Sequence, residues 1–409
     1  MSRTIILSLY FTACFVQSGT YGLTFLLPDL FQTFGANEKN VGQMLAITTV
    51  ATLISVYFAG HLSDKIGRMK TLSLSSVLIA ASLMLFAAAS SVGVILIVAS
   101  ILLGFGWGLF YSLTPVVLTR ITDARERVRT FALLSMFIMG GFGISPVLAA
   151  WLQEVDVTIA EIFQLMGVLC LGSGALFFVI TTRVQALAAN AITEPTSRLD
   201  WSTLKRIMQS PAWLPITMVC LGASVFAGMT NFQTVFASAR GLDYSIYFLA
   251  YTITVISCRL LLIGLKGGTT PYRTIATLQA IMAASVVVFI MMENTQPFYI
   301  LVAVMFGIGY GASYPILTAM AANDAKDDLV PQTLQLFALS YFIGIFGFPL
   351  IAGSLIVWVG HTPLLIIVAL LASIEASMAG LRNRNLQAKQ HKQAMDNFRK
   401  LAILPSSWD

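Results

Sequence analysis

Two ionisable residues of this 409-residue chain, Arg259 and Glu375, stand inside stretches that are otherwise apolar. At mid-membrane depth a charge costs about 2.5–3.5 kcal/mol on insertion scales, so each would need a partner or a wet cavity. The chemistry open to it there is charge pairing or proton transfer. Arg259 is the deeper; Glu375 lies about two helical turns from Arg382 and the water beyond it. Nothing sets a nucleophile beside a base: His61, His361 and His391 are scattered over loops and tail. The cysteines Cys14, Cys170, Cys220 and Cys258 lie in apolar runs with no C-x-x-C spacing, and no G-x-x-x-x-G-K-[ST] loop occurs. An enzyme, a disulfide framework, a metal site and built-in ATP hydrolysis are all disfavoured, and no cofactor is expected.

A second set of residues offers rings and neutral polar groups. "GFGWGLFY" begins at Gly104 and "GIGYGASY" at Gly307, an offset of 307−104 = 203 that also relates Trp107 to Tyr310 and Tyr111 to Tyr314. Each pair is four residues apart, so its rings share one face of a helix. Gln17, Tyr21 and Thr24 do the same near the start of the chain, and Asn231 and Gln233 follow in the second half. Ring faces with amides for orientation suit an amphipathic organic molecule.

The elements that must carry these residues follow from composition. With 57% hydrophobic residues, 10% charged and a mean hydropathy of +0.83, the chain is far from a soluble domain. About 20 apolar residues cross a hydrocarbon core, and twelve such spans are expected, centred near 16, 50, 81, 105, 140, 171, 224, 254, 281, 310, 344 and 371. The fold class expected is all-α integral membrane. Lys and Arg collect in alternate loops: Lys65, Arg68 and Lys70, then Arg120 to Arg129, Arg183 to Arg206, Lys266 and Arg273, Lys326, and the tail from Arg382. Only Lys39 and Arg240 fall on the other side. That asymmetry predicts both termini in the cytoplasm. The net charge of +6 then reflects orientation in a membrane and gives no reason to expect nucleic acid. The 203-residue register predicts two six-helix pseudo-repeats: a first bundle over 1–183, a linker over 184–210, a second bundle over 211–381 and a basic tail over 382–409. The tail has the character of a helix lying on anionic lipid or of a solvated segment.

Charge and glycine concentrate at one turn, "GHLSDKIGRMK" from Gly60 to Lys70. Gly60, Leu62, Asp64, Lys65, Gly67, Arg68 and Lys70 fill a pattern that resembles the signature between helices 2 and 3 of the major facilitator superfamily, G-x-L-x-D-[RK]-x-G-R-[RK]-[RK], with Met69 the one departure. The resemblance covers nearly the whole chain. It implies a latch: Asp64 against the start of span 11 near Pro331 to Thr333, Arg68 against Asp123 or Glu126, with Gly60 and Gly67 allowing close approach and a sharp turn. It also implies that spans 1, 4, 7 and 10 line the central path, which makes Gln17, Tyr21, Trp107, Tyr111, Asn231, Tyr310 and Tyr314 the candidate substrate contacts. Proton-coupled relatives often carry an arginine where this chain has Ser100, so coupling is expected through Arg259 and Glu375 instead. Gly141, Ser145, Pro146, Ala149 and Ala150 match an exporter motif of span 5 in size rather than identity.

The function expected is a secondary transporter moving a small organic solute (a metabolite, siderophore or drug) by alternating access, coupled to protons, with export ahead of import. Its partners are the solute, a proton and membrane lipids. A monomer in a bacterial inner membrane is expected. The alternatives are an importer of an organic anion or other nutrient, and a non-transporting membrane sensor.

Overall fold

The computed structural model describes residues 2–121, 127–188, 200–264 and 271–402. Regular structure among them is helical throughout. The first seven helices are α1 (Arg3–Gly22), α2 (Leu27–Gln32), α3 (Glu38–Ile66), α4 (Arg68–Ala88), α5 (Val94–Ile121), α6 (Arg127–Glu154) and α7 (Ile159–Ala188). A short α8 (Trp201–Met208) precedes α9 (Trp213–Thr230), α10 (Gln233–Ser238), α11 (Tyr244–Gly264), α12 (Pro271–Met291), α13 (Gln296–Asn323), α14 (Val330–Phe342), α15 (Phe348–Val359) and α16 (His361–Ala402).

Among the described residues, eleven helices are long and apolar enough to cross a membrane, with α14 and α15 joined into one across the π turn Ile343–Gly347. The chain's first helix is not one of the eleven. Gln17, Ser18 and Thr20 dilute its apolar run, which leaves α1 at Gly22 and continues through a 3-10 turn, Leu23–Leu26, into α2. A similar break separates α9 from α10 at Asn231 and Phe232.

Element bounds obey the offset read from the aromatic motifs. Adding 203 to Arg68–Ala88 gives 271–291, the bounds of α12; adding it to Val94–Ile121 gives 297–324, against Gln296–Asn323 for α13. The same shift relates α3 to α11 and α6 to α14 with α15. Within the first half α4 packs on α5 and α7, and α1 on α6 and α7; within the second α12 packs on α13 and α16, and α9 on α16. The halves meet along two seams, α3 with α15 and α6 with α11, which the repeat makes equivalents of one another.

Short connections make successive helices alternate in direction, so one end of the molecule (the near end) carries Arg3, Gly67 and Gly264, and the far end carries Gln32, Glu154 and Val359. Asn37 caps α3 reciprocally with Asn40 at the far end. At the near end α3 stops at Gly67 with φ of +90°, and α4 starts at the next residue. A one-residue reversal in that backbone region needs glycine. The last helix, α16, continues through residues 382–402, so the start of the basic tail extends the final span.

Candidate functional site

The central aromatics come together where the halves meet. Tyr21 of α1 stacks on Trp107 of α5, ring centroids 4.9 Å apart, and its ring also meets Phe142 of α6 and, across the junction, Phe346. In the second half Phe226 of α9 stacks on Tyr310 of α13 at 4.5 Å. Phe25, in the turn after α1, stacks on Phe248 of α11 at 5.2 Å. Toward the near end, Tyr111 and Tyr314 join hydroxyl to hydroxyl at 2.8 Å. These residues are related by the 203-residue repeat, so equivalent groups meet each other between the halves. Tyr341 of α14 closes over both rings.

Trp107, Tyr21 and Tyr310 are buried to within a few per cent. So much ring surface in contact is hydrophobic, yet the lining is not polar-saturated. The hydroxyls of Tyr21, Tyr247, Tyr251 and Thr252 are buried without a hydrogen-bond partner, as are Asn231 Oδ1, Gln233 Oε1 and Thr234 Oγ1. Buried polar atoms are rarely left so without a reason.

Other predicted residues have settled partners. Gln17 is turned onto α4, where its amide donates to Ser75 Oγ at 2.8 Å and accepts from Ser76 at 2.7 Å. Thr24 bonds back to the Tyr21 carbonyl. Asn231 donates to the Ala227 carbonyl at 3.2 Å, and Gln233 to the Tyr299 hydroxyl at 2.6 Å. Arg259 is 5% exposed, and its neighbours are neutral: Nε donates to the Gly311 carbonyl at 3.4 Å, while Nη1 donates to the Ser135 carbonyl at 3.3 Å and to the Ser135 hydroxyl. Ser135 belongs to α6, so this arginine of α11 ties the two halves together across their seam. Glu375 is fully buried, accepts from Gln279 of α12 at 2.7 Å through one oxygen, leaves the other unpartnered, and backs onto Gly222 of α9. No hydrogen bond or ion pair joins it to Arg259.

Of the predicted latch, Gly60 accepts from the Ser63 hydroxyl within α3, Gly67 makes the turn and Arg68 opens α4 half-buried. Asp64 is exposed and takes part in no hydrogen bond or ion pair among the described residues. Asp123 and Glu126 lie outside the described residues. At the far end the seam is tight. A Cβ added to Gly42 would stand 2.2 Å from the Pro349 carbonyl oxygen, one added to Gly353 2.1 Å from that of Glu38, and Lys39 lies 5.3 Å over the Trp358 ring.

Two features escaped the sequence reading. The aromatic lining includes α11 and the α14–α15 turn, beyond the four spans expected; the signal was present, since Tyr244, Tyr247, Tyr251 and Arg259 recur at near-helical spacing along α11. Asp29, just past Pro28, is half-buried on α2. It faces the Thr234 hydroxyl of α10 without full hydrogen-bond geometry, and burial pushes its carboxyl up from 3.8 to about 6.

Two pseudo-equivalent helical halves around an aromatic path, with tight seams between them, define a membrane transporter of repeat architecture. The sequence profile of the Major Facilitator Superfamily matches residues 9–349, and the chain belongs to that family, whose members are transporters and not enzymes. Among curated relatives, the quinolone resistance protein NorA of Staphylococcus aureus (strain MSSA476) is 22% identical over 248 residues, 60% of this chain and 61% of that protein. A probable 4-methylmuconolactone transporter of Cupriavidus pinatubonensis is 30% identical over 139 residues, 32% of this chain and 31% of its own length. The chain thus spans about three fifths or less of these relatives. In fold it is similar to the crystal structure of the human organic anion transporter MFSD10, with a TM-score of 0.66 at 13% identity, covering 93% of this chain and 100% of that one.

Proposed function

We propose that this chain is a twelve-span secondary active transporter, both termini in the cytoplasm of a bacterium, that exports a small amphipathic organic solute by alternating access and draws on the proton gradient. Residues 1–183 and 211–381 are the bundles that rock, and 184–210 the linker between them. The observation that carries the reading is the contact of Tyr111 with Tyr314. Repeat-equivalent hydroxyls meeting between the halves mark the axis about which two such bundles rock. The stacks of Tyr21 on Trp107 and Phe226 on Tyr310 line the path on either side of it. Relatives whose names refer to quinolone resistance and 4-methylmuconolactone transport support a small ring-containing solute, and the first supports export.

The far seam is tight, and among the described residues Asp64 makes no hydrogen bond or ion pair; both support a latch that forms only when the near end shuts. Coupling falls to Glu375, with Arg259 supplying a fixed charge. An unpaired buried charge is expensive, so Glu375 is a group that exchanges its proton only in a state that wets it.

The test is uphill transport of a fluorescent quinolone by the full chain in proteoliposomes. One charge moved across 100 mV is worth about 2.3 kcal/mol, or roughly fifty-fold accumulation. Glu375→Gln keeps an acceptor for Gln279, so accumulation should be lost while downhill exchange survives. Uphill movement by that variant, or by the parent protein without any ion gradient, rejects the coupling reading.

A further inference from the structure

Arg259 is a buried cation held by neutral groups. A guanidinium has five N–H donors and cannot be deprotonated in a protein. In this structure Nε and Nη1 reach the Gly311 carbonyl and the carbonyl and hydroxyl of Ser135, and among the described residues Nη2 makes no hydrogen bond. Among the described residues no aspartate or glutamate pairs with it. The other buried acidic or basic side chain among the described residues, Glu375, is committed to Gln279.

The surroundings are equally one-sided. Gly311, to which Arg259 is anchored, lies on α13 between Tyr310 and Tyr314, the two repeated aromatics of that helix. The Tyr251 hydroxyl and, one turn along α11, that of Tyr247 are buried without partners, and so is that of Tyr21. Around the path stand a cation, several buried O–H groups free to donate, and flat ring faces, and among the described residues no carboxylate joins them. Such a set is electrostatically incomplete. An anionic oxygen pair completes it, since a carboxylate takes two parallel N–H donors of an arginine and accepts from phenols as well.

We infer that the solute is an organic anion, a carboxylate on a flat apolar body, whose carboxylate is taken by Arg259 while its body lies among the repeated rings. This rests on the reading of those rings as the transport path. It also says what binding does to the protein. The Ser135 bonds that Arg259 makes are its link across the α6–α11 seam, and a charged acceptor outcompetes a neutral one. Loading the site therefore draws the guanidinium off Ser135 and loosens that seam, so the anion and the closed seam compete for one side chain.

The experiment is equilibrium binding to the purified full chain, read both by quenching of tryptophan emission and by a label-free titration. The probes are matched triples on naphthalene, indole and biphenyl bodies, each as the carboxylate, the primary amide and the ammonium. The expected result is that at least one carboxylate binds about tenfold or more tighter than its own amide, the usual scale of a hydrogen bond to a charged group. The ammonium should be weakest, and Arg259→Gln should erase the preference. Arg259→Lys keeps the charge but not the fork, and should restore part of it. Should Arg259→Gln fail to fold, Ser135→Ala remains: with the competing hydroxyl gone, carboxylate binding tightens several-fold and amide binding does not change. Amides or ammoniums that bind as well as their carboxylates overturn the anion inference and leave the aromatic path standing. Binding by none of the nine probes overturns both readings. A carboxylate preference that survives in Arg259→Gln, or is untouched in Ser135→Ala, removes Arg259 from the site.

Discussion

Hydroxyl pairs such as Tyr111 with Tyr314 are informative because each partner is useless alone in that setting. Both rings are packed among Tyr341, Phe337 and Phe342, and a lone phenol left there keeps its desolvation cost without its bond. Tyr111→Phe and Tyr314→Phe should therefore each destabilise the protein by about 1 kcal/mol or more, and the double variant should cost less than the two singles together. Melting of all four proteins in one detergent measures this coupling; strictly additive losses would mean that the bond contributes nothing in solution. The pair was legible in the sequence as a spacing, since two aromatics four apart on each of two repeats must share faces. That the hydroxyls touch was not legible, because a helix pattern gives a residue's face and not the partner across a seam. Gln17 shows the same limit. Its position beside Tyr21 and Thr24 marks it as path-facing, yet Ser75 and Ser76, on a helix some 58 residues away in sequence, take both ends of its amide.

Breaks in helices are the least legible feature at the next scale. The apolar run of the first span continues past Gly22, and only Pro28 hints that the helix restarts; nothing comparable precedes Asn231. The breaks nevertheless set the environment of Asp29, because they bring α2 beside α10. With its carboxyl raised to about 6 in the folded protein against an ordinary 3.8, the folded state binds more protons than the unfolded between those values. Stability accordingly falls as pH rises through that window, and above it the penalty is complete at about 3 kcal/mol. Below the window both states are protonated and no penalty remains. Asp29→Asn removes the ionisation. It should melt higher than the parent at pH 8, with a margin that shrinks at pH 5; equal margins at both pH values would show that Asp29 is solvated in solution. A second element-scale contact lies at the near end, where Arg206 of α8 pairs with Asp328 ahead of α14 and holds that carboxyl below its usual range. Both partners are largely exposed, so this pair orients the linker helix more than it stabilises the fold.

For the whole molecule, the seams decide which end is open. The repeat is visible in the sequence, since one offset relates motifs in spans 4 and 10, and the helix bounds obey it. The seams were not visible, because the glycines that make them, Gly42 and Gly353, look like any other small residues of an apolar helix. In the structure they are the places where α3 and α15 approach backbone to backbone: a Cβ on Gly353 would meet the Glu38 carbonyl oxygen at 2.1 Å and its carbon at 2.8 Å. A side chain cannot be accommodated by turning a neighbour aside, since the obstructing atoms are main chain. The helices must part, and they can do so without unfolding, because each half keeps its own interior contacts. Gly353→Val should then leave the protein folded and shift its population away from the far-closed state. A cysteine placed at Thr234, 2% exposed beside the far rim, reports this in a background whose four native cysteines are replaced by alanine. Its labelling from the far side by an impermeant maleimide should rise by about tenfold for each 1.4 kcal/mol taken from the closed state. Transport should slow, because a cycle needs both ends to close in turn. If labelling and transport both match the parent, the α3–α15 seam is a fixed joint, and the gate must be sought at α6 and α11.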